Sequence, residues 1–308
     1  MQSPSGADAP AAVSTASAPP LRSAWWVRLL SRLPFPALYA FAGFLGWLAY
    51  RVLPYRQHRV RDNLSKAFPE FDEAKLQHVM RDYYLGFAEV LVEIIKAASM
   101  SADEISERVR TVNLEAAQEL LRQGRSVLLV GAHQCNWEWM LLGLALKLGY
   151  RVDAAYKPLR DPWAEREMLA MRTKFGSRLV PAKGLLADIL QHGKDVRAVA
   201  MVADQEPTTS EHKHWTRFLN REAAFYMGAE EIARVTRYPA FFVGMKRLKR
   251  GYYELSLTPL APSGQRITTG ELTERYARLC EEQIRAAPAD WPWSHNRFKL
   301  KKTLYGKG

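Results

Sequence analysis

The chain has little cysteine and no long charge-poor stretch except one. Cys135 and Cys280 are its only two cysteines. Two thiols so far apart in sequence make neither a disulfide framework nor a metal cluster, and they read as free thiols in a reducing compartment. A glycine-rich phosphate loop is missing, as is any spaced His/Cys cluster, so no metal and no nucleotide cofactor is expected. RNP, zinc-finger and helix-turn-helix signatures are missing too, and no Lys/Arg run resembles a nucleic-acid arm. Acid is scarce relative to base: 44 Lys and Arg stand against 32 Asp and Glu, a net charge of +12. Such a chain is drawn to an anionic partner. With nucleic acid disfavoured and nine Trp present, several beside basic residues, an anionic membrane surface is the expected partner.

Residues 1–23 are Ala-, Ser- and Pro-rich with almost no large apolar side chain. They predict a disordered tail, because so little apolar surface cannot offset the entropy of ordering. The exception follows. Leu33 to Tyr50 carries no charge and is bracketed by Arg32 and Arg51. Eighteen residues of helix reach about 27 Å, close to the thickness of the hydrocarbon layer. Trp25, Trp26 and Arg28 precede the tract and Arg51, Arg56, Arg59 and Arg61 follow it, as in a helix anchored at headgroups. Residues 24–55 therefore read as a membrane-anchoring helix, either spanning or lying in the interface.

Residues 56–308 read as one catalytic domain. Arg56 to Ser99 shows helical apolar periodicity. Ser126–Ala132 is a short apolar run bounded by glycine, as a buried central strand would be. Strand-like runs recur at 152–156, 196–202, 240–246 and 252–257, with helical stretches at 137–148, 163–175, 185–191, 229–236 and 271–287. Strands alternating with helices predict an α/β domain with a largely parallel central sheet flanked by helices.

The chemistry points to Gly131–Ala132–His133–Gln134–Cys135–Asn136–Trp137–Glu138. His133 lies just past the carboxyl end of the buried strand, where open α/β sheets place their ligands. Asn136 is a candidate N-cap and puts Glu138 in the first helical turn. A neutral imidazole takes a proton from a hydroxyl near neutral pH, and a carboxylate on its second nitrogen holds the tautomer. With no enzyme nucleophile in the pair, the substrate hydroxyl attacks directly. Competing readings are a thioesterase or lipid hydrolase, with water or Cys135 replacing that hydroxyl, and a non-catalytic membrane-binding protein. Trp291, Trp293 and Phe298, interleaved with Arg297, Lys299, Lys301 and Lys302, read as a second interfacial patch.

Taken in order, these segments resemble the bacterial lipid A biosynthesis, or late, acyltransferases. Besides the His-x4-Glu stretch, Arg61–Glu70 is similar to the family's Arg-x-Asn-Leu-x-x-x-Phe-Pro segment, and Tyr156–Pro162 to its Tyr-Arg-Pro segment. Arg172–Gly176, Asp204–Gln205, Phe218–Gly228 and Trp291–Lys299 match further motifs in the same order. The resemblance implies a glycerol-3-phosphate acyltransferase-like fold with an N-terminal membrane helix. It also implies an acyl carrier protein or coenzyme A thioester as donor, and a lipid A precursor or related glycolipid as acceptor. The site of action would be the cytoplasmic face of the inner membrane. His133 would be the general base and Glu138 its orienting partner, with Lys157, Arg172, Asp204 and Asn136 as substrate-binding positions. Four residues depart from the family pattern: Cys135 and Asn220 stand where glycine is usual, Lys157 replaces Arg, and Phe225 replaces Thr.

Overall fold

A computed structural model describes residues 24–208, 212–261 and 267–300; the tail expected over residues 1–23 lies outside them. The chain begins with helices α1 (Trp25–Ser31), α2 (Phe35–Arg51), α3 (Gln57–Ala67), α4 (Glu73–Ala97) and α5 (Ala102–Arg108), then strand β1 (Val109–Val112) and α6 (Glu115–Arg122). An alternating series follows: β2 (Val127–Gly131), α7 (Trp137–Lys147), β3 (Val152–Tyr156), α8 (Pro162–Arg172), β4 (Arg178–Pro181), α9 (Leu185–Gln191) and β5 (Ala198–Val202). The hairpin β6 (Lys213–Phe218) and β7 (Arg221–Tyr226), helix α10 (Gly228–Thr236), β8 (Ala240–Lys249), β9 (Tyr252–Pro259) and α11 (Glu271–Ala286) complete it.

Among the described residues, seven strands form one sheet in the order β1-β9-β8-β2-β5-β3-β4. The five from β8 to β4 are mutually parallel, while β9 turns back antiparallel on β8 and β1 runs parallel to β9. The sheet is thus largely parallel with an antiparallel edge. Every residue of β2 is buried, which is why an unbroken Val-Leu-Leu-Val run is needed there: its two faces meet two different cores. Burying each such side chain contributes on the order of 2 kcal/mol. The sequence reading did not anticipate β1, β4 or the hairpin.

The segment expected to form one anchoring helix over residues 24–55 is instead two helices bent by 102°, and no single helix among the described residues is long and apolar enough to cross a membrane. Pro34 caps α2 and Pro36 occupies its first turn, where a missing N–H costs nothing. One face of α2 packs Leu38 and Ala42 against Ala88 and Val92 of α4. Gly46 lets the two backbones approach closely, since a Cβ there would stand 3.0 Å from the Leu85 Cα. On the opposite face Phe41, Phe44 and Trp47 are each more than half exposed.

The C-terminal segment corrects the sequence reading. Trp291, Trp293, Arg297 and Phe298 are buried and pack into the core beside Phe218 and Phe68, so they cannot grip headgroups. Lys299 is exposed; Lys301 and Lys302 lie outside the described residues. Alternating aromatic and basic residues suit an interface and a core equally well. Here the arginine is the buried member, stacked 4.4 Å from the Phe225 ring centre.

Candidate active site

Strands β2 and β5 are parallel neighbours, with Gly131 in register with Val202. Two residues beyond each lie His133 and Asp204, so the register itself brings them together at the carboxyl edge of the sheet. His133 Nδ1 stands 2.6 Å from Asp204 Oδ1. A carboxylate can only accept, so Nδ1 carries the hydrogen and Nε2 keeps its lone pair. The second oxygen of Asp204 accepts from Trp291 Nε1 at 2.9 Å, and the carboxylate is 1% exposed. Burial by itself would lower the His133 imidazole. The charge and hydrogen bond of Asp204, with the nearby charge of Glu138, outweigh it and hold the ring above its ordinary value. Asp204, for its part, would be raised by burial but is held below the usual carboxylate range by His133 and Trp291.

Glu138 lies in the first turn of α7, as expected, but its contact is different. Arg172, at the end of α8, donates Nε to Oε2 at 2.8 Å and Nη2 to Oε1 at 2.6 Å. Trp137 Nε1 donates to the same Oε1 at 3.1 Å. The carboxylate expected on the imidazole is therefore spent on a guanidinium fork, and it acts on His133 through its charge. Trp137 links the two pairs, its ring edge-on to His133 with centroids 5.4 Å apart.

Asn136 caps α7, accepting from Trp139 N at 3.0 Å, while its amide nitrogen donates to Glu93 at 2.9 Å. It is fully buried, which corrects its expected substrate-binding role: neither end of the amide is open to a ligand. Asp204 is corrected likewise, since it backs the imidazole from the interior. Cys135 takes φ of 55°, the left-handed region that explains glycine at this position in the resembled family. Its N–H donates to the Asp290 carbonyl at 2.9 Å. The buried thiol points to the Met245 carbonyl; burial and the Asp290 charge push it well above its ordinary value, so no thiolate is poised there. Asn220 also sits at positive φ, 61°, in the two-residue turn of the hairpin, a conformation asparagine tolerates.

His133, Glu138, Arg172 and the exposed Lys157 share a cavity of about 580 Å³, within the range of small-molecule sites. Its remaining wall is largely apolar, with Met140, Leu144, Leu179, Leu186, Ile232 and Val243. Four groups expected from sequence thus converge around one cleft: His133, Glu138 and Arg172 on its wall, Lys157 at the β3 end. Sequence reasoning missed Glu93 and the site roles of Trp137 and Trp291, which it reads only as motif and interfacial residues.

The family model for the bacterial lipid A biosynthesis acyltransferase matches residues 22–300. The lipid A biosynthesis palmitoleoyltransferase of Escherichia coli K12 is 23% identical over 278 residues, covering 90% of this chain and 88% of that protein. The lauroyltransferase of the same organism is 24% identical over 279 residues, 89% of each. A lipid A biosynthesis acyltransferase of Shigella flexneri matches over the same extent as the first.

Proposed function

Because the chain belongs to the bacterial lipid A biosynthesis acyltransferase family and is an O-acyltransferase, we propose that it moves a fatty acyl chain from a thioester onto a hydroxyl of a lipid A precursor or related glycolipid. The donor is an acyl carrier protein or coenzyme A thioester. The observation that carries this reading is His133, its Nδ1 held by Asp204, on the wall of an apolar cavity. The lipid hydroxyl gives its proton to His133 Nε2 while its oxygen attacks the thioester carbonyl. The C–S bond breaks, and the imidazolium returns the proton to the departing sulfur. Asp204 stabilises that imidazolium. Arg172, with Nε and Nη2 fixed by Glu138, keeps Nη1 for the oxygen that becomes negative in the transition state. The apolar wall receives the fatty chain, and Lys157 attracts anionic groups of donor or acceptor at the mouth.

The protein works at the cytoplasmic face of the inner membrane, resting on α1 and α2. Trp25, Leu29, Phe41, Phe44 and Trp47 expose apolar surface, flanked by Arg28, Arg32 and Arg51. Large exposed apolar patches rimmed by base suit an anionic lipid surface. Trp26 stacks on Trp163 of α8 with centroids 5.0 Å apart, so α1 adjoins the helix that delivers Arg172, and the lipid is proposed to approach the cleft along that helix.

The test is mass spectrometry of products from purified protein, acyl thioester and glycolipid acceptor. An acylated glycolipid that disappears in His133→Ala supports the reading. Release of free fatty acid alone would support a thioesterase, and no turnover at all a binding protein.

A further inference from the structure

Behind the catalytic turn lies a buried carboxylate that the reaction scheme does not use. Glu93 of α4 is fully buried. Its Oε2 accepts from Asn136 Nδ2 at 2.9 Å and from the Tyr253 hydroxyl at 2.6 Å, and Oε1 accepts from the Tyr39 hydroxyl of α2 at 3.0 Å. Its backbone oxygen accepts from Trp139 Nε1 at 3.1 Å. Burial pushes this carboxyl above its ordinary range, against the four groups that stabilise its charge: Tyr253, Arg247, Asn136 and Tyr39. Such a desolvated group is costly to keep unless something depends on it.

What depends on it is the start of α7. Two of the four residues from the N-cap to the third helical position, Asn136 and Trp139, end on one glutamate. Asn136 has two ends with opposite demands: its oxygen must face the Trp139 N–H to cap the helix, and its nitrogen must then meet an acceptor. Glu93 is that acceptor and so excludes the flipped amide, which would set Nδ2 against the Trp139 N–H. The same turn carries His133 three residues before Asn136 and Glu138 two residues after it. We infer that Glu93 is a positioning residue for acyl transfer, which through the Asn136 amide fixes the turn joining His133 to the Glu138–Arg172 pair. It also ties that turn to α2 through Tyr39. This rests on the acyl-transfer reading of the site.

Three variants test it: Asn136→Ser, Glu93→Gln and Glu93→Leu. Serine preserves the helix cap but is too short to reach Glu93. Glutamine can turn its oxygen to Asn136 and Tyr253 while the Tyr39 hydroxyl rotates to accept from its NH2; leucine offers no acceptor. The readouts are kcat and KM for an acyl thioester, and indole N–H resonances of protein labelled with 15N-tryptophan. Trp137 donates to Glu138 and Trp291 to Asp204, so the two indoles report the two carboxylates separately. Expected for Asn136→Ser is an intact fold by circular dichroism with a melting temperature lowered by roughly several degrees, kcat lower by about tenfold with KM little changed, a moved Trp137 resonance and an unmoved Trp291 resonance. Glu93→Gln keeps wild-type turnover and Glu93→Leu loses it. Should Glu93→Leu fail to fold, Asn136→Ser still decides. Wild-type turnover in Asn136→Ser, or lost turnover with the Trp137 resonance in place, overturns the role of Glu93. A wild-type protein with no turnover overturns the acyl-transfer reading instead.

Discussion

Glu138 follows His133 by five residues, yet both of its oxygens are held by Arg172, at 2.6 and 2.8 Å. The site is therefore built from two adjoining ion pairs: an imidazole backed by Asp204 and a carboxylate that aims a guanidinium. The Glu138 side chain is 4% exposed and that of Arg172 20%, so the second pair is largely desolvated.

Two substitutions of Arg172 should disturb that pair in different ways. Arg172→Met leaves the buried Glu138 without its cation, with only the Trp137 indole N–H beside it, and should cost about 3 kcal/mol of stability. Arg172→Lys keeps the charge but cannot reproduce the two-pronged contact, and kcat should fall by about tenfold while the fold survives. Thermal melts alongside steady-state kinetics of the two variants distinguish these outcomes. Equal turnover in Arg172→Lys and wild type would remove Arg172 from the reaction.

The pH profile reports the first pair. As the proposed base, His133 acts only when neutral, so kcat/KM should rise with pH through an ionisation above the ordinary imidazole value, since Asp204 and Glu138 together outweigh burial in the free protein. In Asp204→Asn the carboxylate charge is gone and the lowering effect of burial is left less opposed. The rising limb should then move to lower pH, with a plateau reduced by about 10²-fold or more because the tautomer is no longer held. A limb that stays in place would mean that another group titrates there.

How much of this was legible beforehand follows from what each residue needed. Strands β2, β5 and β8 announce themselves as apolar runs because they form the sheet centre, β3 as a run broken only by Asp153, and β9 by alternation, every second residue being buried. The edge strand β4, Arg178-Leu-Val-Pro, carries an arginine paired with Asp153 and Asp188 and has no such pattern. His133 was found from its position after a buried strand. Its partner required knowing that β2 and β5 are neighbours, which is a fact of topology and not of spacing. Proximity in sequence favoured Glu138, and only the register of Gly131 with Val202 shows that Asp204, expected as a substrate-binding position, is the partner of the imidazole. Trp291 was misread for a related reason: an indole N–H that satisfies a buried carboxylate has the same one-letter signature as one at a membrane surface.

Cys135 separates direct transfer from a covalent route. Its thiol is buried, bonded to the Met245 carbonyl and pushed away from ionisation. Cys135→Ser should retain turnover close to that of the wild type, and alkylating reagents should label the native protein slowly. A total loss of acyl transfer in this variant, with the fold intact by circular dichroism, would reinstate a cysteine nucleophile.

The proposed membrane face makes the last prediction, because α2 has two sides with opposite requirements. Leu38 and Ala42 are buried against α4, while Phe41, Phe44 and Trp47 are exposed on the far side. Replacing Phe41, Phe44 and Trp47 together with serine removes three side chains that are each more than half exposed and belong to none of the core clusters, along with the stack between Phe44 and Trp47. Binding to vesicles containing anionic lipid, measured by co-sedimentation, should weaken by at least about tenfold, as each large apolar side chain entering the interface contributes on the order of 1–2 kcal/mol. The melting temperature in detergent and turnover of a detergent-dispersed substrate should change little. Leu38→Ser provides the converse: it strikes the α2–α4 contact, so stability should fall while the membrane-facing side is untouched. Unaltered vesicle binding in the triple variant would mean that another surface meets the lipid, and the approach of substrate past Trp26 and Trp163 would have to be abandoned with it.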